Sequence, residues 1–224
     1  MREKLQIAID GPASAGKSTV AKLVAKKLNY IYCDTGAMYR AATWYALQEG
    51  VALDDDQALG EMLTQMELKF IPSDPEQLVF VNGVDVTKAI RLPEITNNVS
   101  LVSAQPSVRA DLTKRQQQIA SNGGIVMDGR DIGTTVLPNA QVKIFLVASV
   151  HERALRRFKE NQQKGIKTPL DVLEQEIEAR DYKDSHRKVS PLTQAKDAVL
   201  LDTTSLDIEQ VTAEIMKIVK TEEK

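Results

Sequence analysis

The sequence has few of the side chains that build disulfides or metal cages. Its 224 residues include one cysteine, Cys33, and two histidines. One cysteine cannot form an internal disulfide, and with two histidines it cannot complete a tetrahedral Cys/His zinc site. The chain also lacks a run of about 18 apolar residues and a signal-like apolar region near Met1. We therefore expect a reduced, cytoplasmic protein with no membrane partner.

Aromatic side chains and net charge are scarce as well. Aromatic residues make up 4% of the chain, and 29 Lys+Arg against 31 Asp+Glu leave a formal charge of -2. A protein that binds single-stranded nucleic acid needs stacking rings and a positive surface, so we exclude nucleic acid as a partner. Hydrophobic residues at 42% and charged residues at 27% are ordinary values for a folded chain. At this length one core with an insertion is sufficient.

The hydrophobic residues occur in short runs that are separated by helical segments. These apolar runs occupy residues 5–9, 30–33, 125–127, 142–147 and 198–201. Short buried strands that alternate with helices indicate an α/β fold with a parallel sheet covered on both faces. The first run leads through a glycine-rich turn into a helix predicted over about 18–28, which is how a nucleotide-binding α/β unit begins.

Two segments depart from this alternation. Between residues 68 and 90 the pattern is that of short antiparallel strands, and Asn82-Gly83 supplies the positive φ angles of a tight hairpin. Residues 152–187 are polar, helical in pattern and rich in arginine, so they are a candidate lid between two core strands. The last predicted helix is amphipathic, and its apolar face carries Ile208, Val211, Ile215 and Ile218.

A phosphate-binding motif follows the first strand. Residues 11–18 read Gly-Pro-Ala-Ser-Ala-Gly-Lys-Ser and match GxxxxGK[ST] in full. Its glycines let backbone N–H groups turn toward a phosphate at a helix N-terminus. Lys17 is expected to reach the β- and γ-phosphates, and the Ser18 hydroxyl to bind Mg²⁺. The predicted nucleotide-binding residues are Gly11, Pro12, Ala13, Ser14, Ala15, Gly16, Lys17, Ser18 and Thr19.

The loop predicts a nucleoside triphosphate with magnesium, but not the reaction. The Asn-Lys-x-Asp motif of GTPases and the Leu-Ser-Gly-Gly-Gln motif of cassette ATPases are both absent. A regulatory GTP-binding switch is therefore disfavoured. Asp128 follows the strand at 125–127 and is either a metal-directed acid or an ordinary strand-end aspartate. These two interpretations have equal weight.

A second group of residues indicates an anionic acceptor. The group consists of Arg40, Arg109, Arg130, Asp131, Arg180, Asp184 and Arg187, at predicted strand ends and on two predicted helices. Positions 180, 184 and 187 share one helix face. In phosphoryl transfer the protein positions two substrates and neutralises the moving group, which arginine forks do well. A lid that brings arginines over the site also excludes water.

Together these motifs resemble the bacterial cytidylate kinases over essentially the whole chain. The resemblance is carried by residues 9–12, 16–19, 34–40 and 128–134 and by the set at 180–187. It implies ATP-dependent phosphorylation of CMP and dCMP by direct in-line transfer. It also implies a three-layer P-loop NTPase core with a parallel sheet, a small antiparallel NMP-binding insertion and a helical lid. The corresponding boundaries are about 1–65, 100–148 and 190–224 for the core, 66–99 for the insertion and 150–189 for the lid.

The same resemblance assigns roles to individual residues. It implies that Ser100, Arg109 and Asp131 read the cytosine, that Arg180 and Asp184 face the sugar, and that the acceptor phosphate is held by Thr35, Arg40, Arg130 and Arg187. Lys17, Arg130, Arg180 and Arg187 would stabilise the transferred group. A carboxylate at Asp131 suits cytosine, which presents an amino donor where uracil has a carbonyl. We expect a monomer with ATP and CMP or dCMP as substrates; the alternative is a kinase for another small acceptor, such as UMP.

Overall fold

The computed structural model describes residues 4–73, 76–163 and 165–222. In chain order the elements are β1 (Gln6–Asp10), α1 (Lys17–Leu28), β2 (Ile31–Asp34), α2 (Thr35–Gln48), α3 (Asp56–Thr64), β3 (Leu68–Ile71), β4 (Leu78–Val81), β5 (Val84–Asp85), a 3₁₀ turn (Ala89–Arg91), α4 (Pro93–Val102), α5 (Pro106–Ala120), β6 (Ile125–Gly129), a π-helical turn (Ile132–Val136), β7 (Val142–Val147), α6 (Val150–Gln163), α7 (Leu170–His186), β8 (Val199–Asp202) and α8 (Ile208–Glu222). The chain divides into two compact units: unit 1 runs up to Cys33 and resumes at Ile119, and unit 2 is Asp34–Gln118.

Unit 1 contains a five-stranded sheet in the order β2-β6-β1-β7-β8. The central strand β1 runs parallel to β6 on one side, with Ala8 opposite Met127, and parallel to β7 on the other. Ile7 and Ile9 on one face of the strand and Ala8 on the other are all fully buried, so both faces are covered. This confirms the parallel sheet that the apolar runs predict.

Helices α1 and α8 contribute to the main hydrophobic core of unit 1. Val20 and Val24 of α1 join Val211, Ile215 and Val219 of α8 in one buried cluster with the sheet. The α8 residues are spaced four apart, as an inward-facing helical stripe requires. The expectation for Ile208 was wrong: this side chain is 45% exposed, because it stands at the first position of α8, one turn before the buried stripe begins.

Helices α6 and α7 pack on each other and form a second, smaller cluster. Ala154, Leu173 and Ile177 are buried there, with Val150 and Phe158 partly buried around them. The remaining surface of both helices is mostly polar, with Val172 and Tyr182 of α7 exposed, which agrees with the composition of the predicted lid segment. In the part of the chain that the structure describes, no helix is long and apolar enough to cross a membrane.

Unit 2 combines helices α2 to α5 with a three-stranded antiparallel sheet in the order β3-β4-β5. The turn between β4 and β5 contains Asn82 at φ 48° and Gly83 at φ 80°, as the sequence predicts for a tight hairpin. Arg115 of α5 fastens α3 to the unit, because its guanidinium donates to the main-chain oxygens of Leu63 and Met66 at 2.8 Å each. The antiparallel sheet lies inside the segment predicted as the insertion.

Candidate active site

Residues 11–18, named the donor loop here, connect β1 to α1. Gly11 has φ +148°, and a Cβ atom there would lie 2.1 Å from the main-chain oxygen of Leu146, so only glycine fits. Gly16 has φ +86° and forms the N-cap of α1. The first main-chain N–H groups of α1 have no partner within the helix, and the helix dipole adds positive potential at this end. The loop is therefore suited to bind an anion.

Lys17 is the first residue of α1 and is 5% exposed. Its ammonium donates to the main-chain oxygen of Pro12 at 2.5 Å. Burial and the nearby positive charge of Arg130 lower the pKa of Lys17 well below its ordinary value, although Asp128 and Asp10 act in the opposite direction. The negative charge of a bound phosphate group would compensate the charge of this buried ammonium.

Ser18 and Asp128 meet beside the donor loop. The Ser18 hydroxyl donates to Asp128 Oδ2 at 2.8 Å, and the Tyr32 hydroxyl donates to Asp128 Oδ1 at the same distance. A hydroxyl and a buried carboxylate are oxygen ligands of the kind that Mg²⁺ prefers, and Mg²⁺ in kinases needs only one or two protein ligands besides phosphates and water. These residues fit magnesium, and their geometry favours the metal-directed interpretation of Asp128.

Two arginines of α6 that the sequence analysis did not single out contact the donor loop. Arg153 is 4% exposed and donates to the main-chain oxygen of Ala13 at 3.1 Å. Arg156 donates to the main-chain oxygens of Ala15 at 3.5 Å and Thr203 at 2.8 Å. These contacts hold loop carbonyls in place. In the sequence, their spacing of three residues places both on one helix face, and this pattern could have indicated a shared contact.

The other predicted loop residues differ in exposure. Pro12, Ala13 and Ala15 are buried, whereas Ser14 is partly exposed and has φ 59°. Thr19, in the first turn of α1, is exposed. The main chain of the loop is therefore packed against the protein, with few side chains of its own to offer a ligand.

Five of the predicted acceptor residues come together in unit 1 and are named the arginine cluster here: Arg130, Asp131, Arg180, Asp184 and Arg187. Arg130 Nε donates to Asp184 Oδ2 at 2.9 Å, and Arg180 Nε lies 4.0 Å from the same oxygen. Arg187 Nη2 donates to Asp131 Oδ1 at 3.3 Å. Burial alone would raise the pKa of Asp184, but the charges of Arg130 and Arg180 outweigh it and lower that pKa.

Asp10 is a further buried acid that the sequence analysis did not single out. It is the last residue of β1 and is 4% exposed. Its two carboxylate oxygens accept the main-chain N–H groups of Ile132 and Gly133, at 2.8 and 2.7 Å. Burial raises the pKa of Asp10 to about 6, against the lowering effect of these two hydrogen bonds.

The remaining predicted acceptor residues belong to unit 2. Thr35 is buried at the start of α2, directly after Asp34, whose carboxylate caps that helix through the N–H of Ala37 at 2.8 Å. Asp34 also forms an ion pair with Arg40 at 3.1 Å, and Arg91 lies 3.9 Å from the same oxygen. Unit 2 thus has its own pairing of one carboxylate with two arginines.

Arg109 and Ser100 lie further along unit 2. Arg109 of α5 is 3% exposed, donates to the main-chain oxygen of Ser103 at 3.1 Å, and stands over the ring of Tyr39 at 5.4 Å. Ser100 lies on α4, where its main-chain oxygen accepts from the Ser103 hydroxyl at 3.3 Å. Arg109 is therefore fixed in one orientation by a carbonyl and an aromatic face.

Known proteins resemble this chain in sequence and in fold. A family model described as cytidylate kinase matches residues 7–221. The cytidylate kinase of Ligilactobacillus salivarius is 74% identical over 98% of this chain and 98% of that protein, and that of Lactiplantibacillus plantarum is 62% identical over 97% and 96%. A solved structure of an uncharacterized protein from Eubacterium ventriosum, 10% identical, covers 97% of this chain and 99% of its own with a TM-score of 0.52, a likeness of fold alone. The chain belongs to the cytidylate kinase family.

Proposed function

We propose that the protein transfers the γ-phosphoryl group of ATP to CMP and dCMP. The observation that carries the proposal is a donor loop with a buried lysine in the same compact unit as a cluster of three arginines and two acids. Curated relatives named cytidylate kinase match the chain over nearly its full length, which supports CMP as the acceptor. A kinase for UMP is not favoured.

On the donor side, Lys17 and the N–H groups of the loop hold the phosphates of ATP. Because the Lys17 ammonium is already buried, its charge acts in a medium of low dielectric and stabilises negative charge strongly as the bond to the leaving ADP breaks. Ser18 and Asp128 would hold Mg²⁺, which supplies neutralisation of phosphate charge when it is bound. The transfer proceeds directly between the two nucleotides, without a covalent intermediate on the protein.

On the acceptor side, Arg130 and Arg187 bind the phosphate of CMP. Each is held by a carboxylate, Asp184 for Arg130 and Asp131 for Arg187. This pairing fixes the orientation of each guanidinium before the substrate arrives, so less conformational entropy is lost on binding. Arg180 and Asp184 would contact the ribose. Residues 150–189, with α6 and α7, serve as the lid.

Asp131 is proposed to read the base. Its carboxylate can accept a hydrogen bond from the amino group of cytosine, whereas the carbonyl of uracil at that position would face it with like partial charge. Polar pairing of this kind discriminates strongly, since the wrong base presents an acceptor where the Asp131 carboxylate needs a donor. In unit 2, Arg109 and Ser100 are proposed to assist in base recognition, and Thr35 and Arg40 in phosphate binding.

The decisive test is an acceptor panel with ATP and Mg²⁺, in which ADP release is coupled to a dehydrogenase signal. CMP and dCMP should be turned over, with UMP, AMP and GMP far slower. Turnover of UMP at a rate equal to that of CMP would contradict the proposed specificity. Turnover of none of these acceptors, with intact ATP binding, would contradict the acceptor class.

We expect the working form to be a monomer, because the donor loop and the arginine cluster come from one unit of one chain, and we keep the cytoplasm as the expected compartment. Light scattering coupled to size-exclusion chromatography, at the protein concentration of the assay, tests this. Activity that disappears on dilution in parallel with dissociation of a larger species would contradict it.

A further inference from the structure

Asp10 directly precedes the donor loop, yet its side chain contacts the segment that follows Asp131. Its carboxylate uses one oxygen for the N–H of Ile132 and the other for the N–H of Gly133. These two residues come directly after Asp131, although they are more than 120 positions away from Asp10 in the chain. A single buried side chain therefore connects β1 with the segment that carries Asp131.

The two hydrogen bonds fix the main chain on the C-terminal side of Asp131. The main-chain oxygen of Asp131 accepts from the N–H groups of Thr135 and Val136, at 2.9 and 3.2 Å, in the π-helical turn. Asp131 is thus held through its own carbonyl and through the next two peptide groups. Its carboxylate has a further contact with Arg187. The direction of the Asp131 side chain depends on all of these contacts.

Only a carboxylate can accept two adjacent N–H groups in this way. An asparagine at position 10 would keep one oxygen, but its amino group would face the second N–H, donor against donor. None of the described residues forms an ion pair with the Asp10 carboxylate, although the nearby charge of Lys17 acts to lower its pKa. Removing this carboxylate from water is costly, so it is a poor choice for stability alone. The arrangement is better explained by the geometry that it imposes on its neighbours.

We propose that Asp10 is a positioning residue for acceptor selectivity, which acts by fixing the peptide groups of Ile132 and Gly133 so that the Asp131 carboxylate is correctly directed at the base. The inference rests on the proposed role of Asp131 in reading cytosine. Asp10 itself contacts neither nucleotide.

The test compares Asp10→Asn with the parent enzyme in kcat/KM for CMP and for UMP, together with calorimetric Kd values for both. The variant should lower the CMP/UMP ratio of kcat/KM about tenfold or more, as loss of a polar recognition contact does. KM for ATP should change much less, because the donor loop keeps its glycines and Lys17. A merely structural role would lower stability and leave the ratio unchanged.

A core truncation provides the matched control. Val219 is fully buried in α8 and far in sequence from both nucleotide-binding segments, so Val219→Ala should lower the melting temperature with the CMP/UMP ratio intact. Gly133→Ala is the second approach, should Asp10→Asn fold poorly. The added Cβ would lie 3.2 Å from Lys143 Cδ, so the Lys143 side chain must shift by a few tenths of an ångström, and it would lie 3.4 Å from Asp10 Oδ2, at the border of ordinary contact. It should lower the ratio in the same direction, by less.

Combination with Asp131→Asn separates the two proposals. If Asp10 acts through Asp131, then Asp10→Asn should have no further effect on the ratio in the Asp131→Asn background. An unchanged ratio in Asp131→Asn alone would overturn the base-reading role itself. A lowered ratio in Asp131→Asn, with an unchanged ratio in both Asp10→Asn and Gly133→Ala, would overturn only the role of Asp10.

Discussion

The donor loop and the arginine cluster both handle phosphate charge, but they are built differently. The donor loop relies on main-chain geometry, with Gly11 and Gly16 at positive φ and one buried ammonium, Lys17. The arginine cluster relies on side chains, with three guanidiniums paired to two carboxylates. Substitution of Lys17 removes the one charged side chain of the donor loop. In the arginine cluster, the remaining arginines can partly replace one that is substituted.

The acids of the two regions show the same contrast. Asp10 has main-chain N–H partners, and burial raises its pKa to about 6. Asp184 is buried too, but Arg130 and Arg180 overcome that effect and lower its pKa. Neutral donors therefore do not compensate for desolvation here, whereas full positive charges do. Asp184 therefore remains ionised and can keep Arg130 and Arg180 oriented.

The largest effect should come from Lys17→Ala. Because Lys17 is the one cationic side chain within residues 11–18, kcat should fall by roughly 10³-fold or more, while the calorimetric Kd for CMP changes little. Lys26→Ala, at an exposed position of the same helix, is the control and should behave like the parent enzyme. Near-normal kcat in Lys17→Ala would refute the donor-loop assignment.

Arg130→Ala should have a smaller effect, since Arg180 and Arg187 remain. We expect kcat/KM for CMP to fall by about 10²-fold, with KM for ATP nearly unchanged. Arg115→Ala is the matched control, because Arg115 also pairs with an aspartate, Asp111 at 2.6 Å, but lies in unit 2 and binds α3. It should lower the melting temperature and leave kcat intact. Equal kinetic losses in both variants would show that the cluster has no special role.

The pKa contrast predicts opposite pH dependences of stability. In the pH range from 3.8 to about 6, folded Asp10 holds a proton that the unfolded chain releases. Asp10 therefore makes the free energy of unfolding fall as pH rises through this range. The free energy of unfolding of Asp10→Asn, measured relative to that of the parent, should therefore rise by up to about 3 kcal/mol between pH 4 and 6, at about 1.4 kcal/mol per pKa unit.

For Asp184 the sign reverses. Its stabilising contribution is present above the ordinary pKa of 3.8 and is lost as pH falls through the lower pKa of the folded state. The free energy of unfolding of Asp184→Asn should therefore rise relative to that of the parent only as the pH falls below about 4. Urea unfolding of the three proteins at pH values from 3 to 7 measures both curves. The difference in unfolding free energy between variant and parent should change with pH in opposite directions for the two variants. A change in the same direction for both would contradict the proposed difference between Asp10 and Asp184.

The smallest expected effect concerns magnesium. Asp128→Asn should raise the Mg²⁺ concentration for half-maximal ATP binding about tenfold, because Ser18 would lose its carboxylate partner. Titration of a fluorescent ATP analogue measures this without turnover. Asp54→Asn, at an exposed position in unit 2, is the control. An unchanged Mg²⁺ requirement in Asp128→Asn would make Asp128 an ordinary strand-end aspartate.

Much of the fold could be predicted from local patterns. The apolar runs predicted the parallel strands, and Asn82-Gly83 predicted the hairpin of the antiparallel sheet. The family resemblance is confirmed by the match over residues 7–221, and the predicted phosphorylation of CMP is supported by relatives over nearly the whole chain. These features could be read because each one depends on residues that are close together in the sequence.

The missed features depend on residues that are distant in sequence. Arg153 reaches the carbonyl of Ala13 across 140 positions, and Asp10 reaches Ile132 across 122. Such contacts follow from the order of strands in the sheet, and alternating strands and helices do not determine that order. The roles of all the predicted site residues in catalysis and substrate binding, in the donor loop, in the arginine cluster and in unit 2, stay predictions.

The position of β1 in the sheet has a consequence for biosynthesis. In the described five-stranded sheet β1 lies between β6 and β7, so it pairs with segments that begin at Ile125 and Val142 and are made much later. At about 5–20 residues per second, a ribosome needs on the order of 10 s to supply the first of them. Unit 2, which is continuous in sequence, can collapse during that interval. The apolar segment at residues 5–9 stays without its two neighbouring strands during that interval.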